Sequence, residues 1–142
     1  MTGKVSFHSH GALFEASGAS DVVSVSLGGG ATMLMLSGVA AENPGGRFGQ
    51  ANVAATDIDG QVEFVWRRIA ELLDPHGATV EDIVKITCYT TDSRYLMGPV
   101  AASIGEVFSG GGRPACTGVV VSGLAWPELL VEIDVTAIVF AS

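Results

Sequence analysis

Arg113-Pro114-Ala115-Cys116-Thr117-Gly118-Val119-Val120-Val121-Ser122-Gly123, answered a short loop later by Leu130-Val131-Glu132-Ile133-Asp134-Val135, reads as two β-strands. Both runs are rich in β-branched residues, which suit the pleated, half-buried surface of a sheet. They set one thiol, Cys116, at the mouth of the first strand and one carboxylate, Glu132, inside the second. Glu132 alternates with Val131 and Ile133, yet 129–140 is so apolar that both faces of this strand are expected to be covered. A carboxylate placed there is desolvated, and it costs free energy unless it is hydrogen-bonded, protonated or used. It is either a satisfied structural glutamate at a subunit contact or a group that does chemistry.

Upstream, 22–27 and 32–37 have strand character and meet across Gly28-Gly29-Gly30, which predicts a hairpin. Asn43-Pro44-Gly45-Gly46 marks 42–52 as a loop. Thr56 and Asp59 imitate a capping box, and Ile58, Val62, Val65, Ile69, Leu72 and Leu73 recur at helical spacing until Asp74-Pro75-His76-Gly77. A helix over 57–73 follows. The β-rich alternation of 84–91 predicts a strand, with Val84, Ile86 and Cys88 on one face and Lys85, Thr87 and Tyr89 on the other. Leu96, Val100, Ile104, Val107 and Phe108 form the apolar stripe of a second helix over 93–108, with Pro99 in its early turns. Strands over 117–122 and 129–139 complete the order β-β-α-β-α-β-β. That order predicts an α+β domain whose sheet is mixed or mainly antiparallel, with both helices on one face. The Gly/Ser/Ala-rich first twenty residues are expected to form an extended N-terminal segment.

At 142 residues with 48% hydrophobic content, the chain suits a single domain with a genuine core. Only 15% of the residues are charged, which is more apolar than a small monomer needs and predicts a homo-oligomer. Fifteen acidic residues against 7 scattered basic ones leave a net charge of −8, which argues against binding nucleic acid. No charged region followed by a long apolar one opens the chain, and no apolar run reaches about 18 residues. A cytoplasmic location with no membrane contact is the expectation. Gly28-Gly29-Gly30 and Gly110-Gly111-Gly112 lack the Lys-Ser/Thr pair of a phosphate loop and read as turns. Cys88 and Cys116 fit no metal spacing. His8 and His10 have the spacing of two ligands on a strand, but they lie in the N-terminal segment and His76 belongs to a helix-ending turn, so without a third ligand no metal site is expected.

Ser37-Gly38, Asp57-Ile58-x-x-Gln61, Gly77-Ala78-x-x-x-Asp82-Ile83-Val84-Lys85, Arg113-Pro114-Ala115 and Val131-Glu132-Ile133, in this element order, resemble the YjgF/Rid family of enamine and imine deaminases. The resemblance covers nearly everything after Val22. It implies a chorismate-mutase-like fold, a homotrimer with clefts at the subunit interfaces, and cofactor-free hydrolysis of reactive enamines and imines to a carbonyl compound and ammonia. It further implies that Gly38 lines the cleft through its backbone, that Gly118 offers a carbonyl to the substrate nitrogen, and that Glu132 holds the attacking water.

Two positions depart from the family pattern. An arginine two residues after the proline grips the substrate carboxylate in the type branch, because a guanidinium fork matches a carboxylate with two parallel hydrogen bonds. Here that position is Cys116. A family tyrosine contributed across the interface is matched by Asp21. Both changes disfavour an anionic substrate. Cys116 is read as a small pocket wall, a covalent nucleophile or an oxidation-sensitive thiol; activation as a thiolate needs a cation or helix N-terminus beside it. Trp126, next to Pro127 in the loop between the last strands, is expected to rim the cleft.

Three functions are thus open: an imine or enamine hydrolase of altered substrate range, a non-catalytic small-molecule binding or sensor trimer, and the endoribonuclease role assigned to some family members. The charge argues against the last.

Overall fold

A computed structural model of the protein describes residues 4–11, 18–45 and 52–141. Its longest helix, α1 (Ile58–Leu73), begins where the Asp57 side chain accepts a hydrogen bond from the Gly60 backbone N–H at 3.1 Å. Asp57 therefore supplies the cap, rather than the Thr56–Asp59 pair, and satisfies one of the donors a helix start leaves orphaned. Val62, Val65, Ile69, Leu72 and Leu73 bury one stripe of the helix. Beyond its end, Asp74–His76 forms a 3-10 turn, and Gly77 reverses the chain at φ +71°, a left-handed conformation that glycine adopts without steric cost.

Among the described residues, seven strands make one sheet: β1 (Val5–His8), β2 (Val22–Gly28), β3 (Ala31–Leu36), β4 (Val39–Ala40), β5 (Ile83–Thr90), β6 (Ala115–Val120) and β7 (Val131–Phe140). Their order is β1-β2-β3-β7-β5-β6, with β4 also on β7. β5 and β6 run parallel and the other pairs antiparallel, so the sheet is mixed, as expected. The expected N-terminal segment thus contributes a strand of its own, and the short β4 is a further addition to the predicted order.

The parallel pair needs a crossover, and the second helical segment provides it. It is not one regular helix. α2 (Ser93–Tyr95) leads into a π-helical turn over Leu96–Val100, and α3 (Ala101–Val107) follows. Pro99 lies inside the π turn, where a wider backbone tolerates the missing N–H.

Both helical segments pack on one face of the sheet. Val131, Ile133, Val135 and Ala137 of β7 point into this core with Leu34 and Ile86, while Glu132, Asp134, Thr136 and Ile138 alternate onto the other face. Among the described residues, no helix lies on the second face. Along it the register lines up Val5 with Val25 and Met33, and Phe7 with Val23 and Met35.

Candidate functional site

Glu132 lies on the helix-free face, between Ala40 of β4 and Tyr89 of β5. Its carboxyl group folds onto Gly38, in the turn from β3 to β4. A Cβ at position 38 would stand 2.9 Å from the Glu132 carboxyl carbon, so glycine is needed here for close approach rather than for an unusual φ. Burial, then the neighbouring charges of Glu42 and Asp134, push the Glu132 carboxyl above its ordinary range. On the same face, Asp134 and then desolvation raise the Tyr89 phenol.

Glu42 follows β4, and its Oε2 accepts a hydrogen bond from Trp126 Nε1 at 2.9 Å. Trp126 packs against Ala40, Ala41, Phe64 and Leu129. The loop that carries it is tied to α1 by Gln61, which is fully buried. Gln61 Nε2 donates to the Ala55 and Glu128 carbonyls at 3.0 and 2.8 Å, and its Oε1 accepts from the Leu130 N–H at 2.8 Å. Every hydrogen-bonding need of this interior amide is met locally, which makes it a rigid clamp between the helix and the site.

Asp21 is buried and accepts a hydrogen bond from the His10 backbone N–H. With Ser37, Gly38, Glu42 and Arg68 it lines a cavity of about 30 Å³, room for a water molecule beside Gly38. Glu132, Gly38, Asp21 and Trp126 are thereby gathered around β4.

Cys116 and Gly118 lie elsewhere in the protomer. They sit on the edge strand β6, level with Ile86 and Cys88 of β5, so the Cys116 side chain is on the sheet face opposite to Glu132. Cys116 is exposed, and its thiol has the buried Cys88 thiol as a neighbour. Burial first, and then Cys116, push the Cys88 thiol up to about 12. A Cβ at Gly118 would meet both Leu96 methyl groups at 2.9 Å.

Two features escaped the sequence. Glu42 reads there as the first residue of a loop; its signal was a lone acid ending the apolar run Val39-Ala40-Ala41. The protein's three histidines also converge. His10 Nε2 and His76 Nε2 are 2.9 Å apart, His8 Nε2 bonds Ser24 Oγ at 2.9 Å, and the His8 and His76 ring centroids are 4.5 Å apart. The expected separation of His76 from the other two is thus corrected, because the turn after α1 lies against the end of β1. Desolvation, then His8 and His10, lower the His76 pKa. Among the described residues, no group of three or more His, Cys, Asp or Glu side chains is arranged to hold a metal ion.

A mixed sheet with its helices on one face, and a half-buried carboxylate seated on a glycine at the other, defines an α+β domain of YjgF type. The family model described as "Endoribonuclease L-PSP" matches residues 20–139, and the chain belongs to this YjgF/Rid family. Among solved structures it is similar to the Rid-family protein YyfA of Yersinia pestis, with 27% identity, a TM-score of 0.75, and coverage of 94% of this chain and 98% of that one. It is also similar to Rv2704 of Mycobacterium tuberculosis, of the YjgF/YER057c/UK114 family, at 26% identity and a TM-score of 0.66, covering 96% of this chain and 100% of that one. PA3499 of Pseudomonas aeruginosa, a protein of unknown function, matches at 29% identity and a TM-score of 0.73 over 96% of this chain and 93% of its own. No curated protein matches the sequence.

Proposed function

We propose that the protein hydrolyses small imines or enamines to the carbonyl compound and ammonia, without metal or organic cofactor, as a cytoplasmic homotrimer that binds no nucleic acid. The observation that carries this reading is the Glu132 carboxyl, seated against Gly38 and pushed towards its protonated form by burial and by Glu42. A neutral carboxyl can give its proton to an enamine carbon or an imine nitrogen. The carboxylate left behind takes a proton from water as the water oxygen adds to the imine carbon. The carbinolamine then collapses: Glu132 returns that proton to the amino nitrogen, the C–N bond breaks and ammonia leaves, and the carboxylate takes the hydroxyl proton as that oxygen becomes the carbonyl, which restores the neutral acid. The backbone groups of Gly38 and Gly118 orient the substrate, as the family resemblance implies.

Cys116 stands where arginine-bearing relatives would hold a carboxylate, so the preferred substrate lacks one. In a trimer, the β6 edge of a neighbouring copy would bring Cys116 and Gly118 to Glu132, whereas within one protomer the two side chains face apart.

Ammonia release from a panel of freshly generated imines tests the reading. Activity in the intact protein, falling by about a hundredfold or more in Glu132→Gln, is expected, since a positioned acid–base group contributes about 10²–10⁴ in rate. Tight binding of such compounds with no turnover would replace the enzyme with a binding or sensor protein.

A further inference from the structure

Glu42 takes no part in the reaction written above, yet it is held through both its backbone and its side chain. Its backbone N–H bonds the Ala40 carbonyl at 2.8 Å, it bridges Val53, and its side chain is anchored by the Trp126 indole at 2.9 Å. An indole N–H can only donate, so it fixes one Glu42 oxygen as an acceptor. Ala40, two residues earlier, is the register partner of Glu132. Glu42 also lines the same small cavity as Gly38, on which the Glu132 carboxyl rests, so the anchor holds one carboxylate beside the seat of the other.

We propose that Glu42, held in place by Trp126 beside the cavity on which Glu132 is seated, is a positioning residue that governs the acid–base behaviour of Glu132. This rests on the proposed reaction, in which Glu132 must begin as an acid. A carboxylate charge held close by makes ionisation of a neighbouring carboxyl group less favourable. The groups facing Glu132 from each packed element are Asp134 on its own strand, Tyr89 on β5 and Glu42 beyond β4. Asp21 and Arg68 share the adjoining cavity, but Arg68 is engaged by Glu71 on its own helix. Glu42 precedes Asp134 in its effect on Glu132, so it is the neighbour whose removal should tell.

Glu42→Gln removes the charge and keeps an oxygen that can accept from Trp126, while Glu42→Asp keeps the charge. Carbon-13 NMR of the glutamate carboxyls, with Glu132 assigned through Glu132→Gln, reads the titration without any substrate. Glu132 is expected to titrate at lower pH in Glu42→Gln and to stay near wild type in Glu42→Asp. On a turned-over imine, Glu42→Gln should lower kcat at neutral pH by roughly tenfold, leave KM little changed, and move the alkaline limb of the rate profile to lower pH. An unmoved Glu132 titration in folded Glu42→Gln, or a loss of kcat with the alkaline limb in place, overturns the proposal. If no imine is turned over by the intact protein and the NMR shift is still found, the hydrolase reading falls while the role of Glu42 towards Glu132 stands.

Discussion

At the scale of single residues, the site depends on an absent side chain. The carboxyl of Glu132 occupies space that any Cβ at position 38 would claim. The atoms in the way are the far end of a flexible side chain, so in Gly38→Ala the carboxyl should swing out while the backbone stays. The expected result is nearly unchanged stability, within about 1 kcal/mol by urea unfolding, because no backbone is displaced and no core cavity is opened. Glu132 should then gain solvent and titrate closer to an ordinary glutamate, and imine hydrolysis should fall about as far as in Glu132→Gln. A Gly38→Ala protein whose Glu132 titrates as in wild type would show that close packing on the backbone does not set the protonation of this group. Glu132 was legible in the sequence because an acid inside an apolar alternating strand breaks a pattern. Glu42 was not, because a lone acid before Asn43-Pro44 looks like any loop residue until the fold brings Trp126 to it.

Elements were readable in proportion to their length. The helix predicted over 57–73 and the later strands have long periodic patterns, and the structure places α1, β5 and β7 within a residue or two of expectation. β1 and β4 span 4 and 2 residues, too few for alternation to register, and both exist because a neighbouring strand offers them hydrogen bonds. The π turn at Leu96–Val100 was hidden for a related reason: the apolar stripe continues through it, and only the backbone reveals the widening. The histidine cluster belongs to this scale, since it joins the N-terminal strand to the turn after α1. His76 has a lowered pKa in the fold, so below its ordinary value of about 6.5 the unfolded chain binds more protons than the folded one. The contribution of His76 is therefore present in full above about pH 6.5 and is lost as pH falls below it. Urea unfolding at a series of pH values should show stability dropping from neutral to mildly acid solution, with β1 amides exchanging faster with deuterium. In His76→Gln the drop should be shallower. Equal pH slopes in the two proteins would mean that the histidines meet without consequence for the fold.

For the whole molecule, the distribution of apolar surface is the deciding feature. The described residues contain no helix long and apolar enough to cross a membrane, and several large apolar side chains are exposed. Phe7 is 71% exposed, Val5 51% and Met35 39%, and their register puts them on one continuous face with Val23, Val25 and Met33. A patch of this kind, on a face without helices, is where copies of a chain associate. The net charge of −8 works against association through long-range repulsion, and that repulsion is screened within about 8–10 Å at moderate salt, whereas apolar contact is not. If the proposed trimer uses this face, sedimentation equilibrium at micromolar concentration should report three chains per particle, held or strengthened as salt is raised. Met35→Lys adds a charge to the middle of the patch, where burial without a partner is costly. It should yield a folded smaller species, and because the cleft would need β6 of a neighbouring copy, hydrolysis should disappear with the assembly rather than with the fold. A Met35→Lys protein that remains trimeric would move the interface to another surface. A stable wild-type monomer that still hydrolyses imines would require Glu132 to work without Cys116 or Gly118 of any copy beside it.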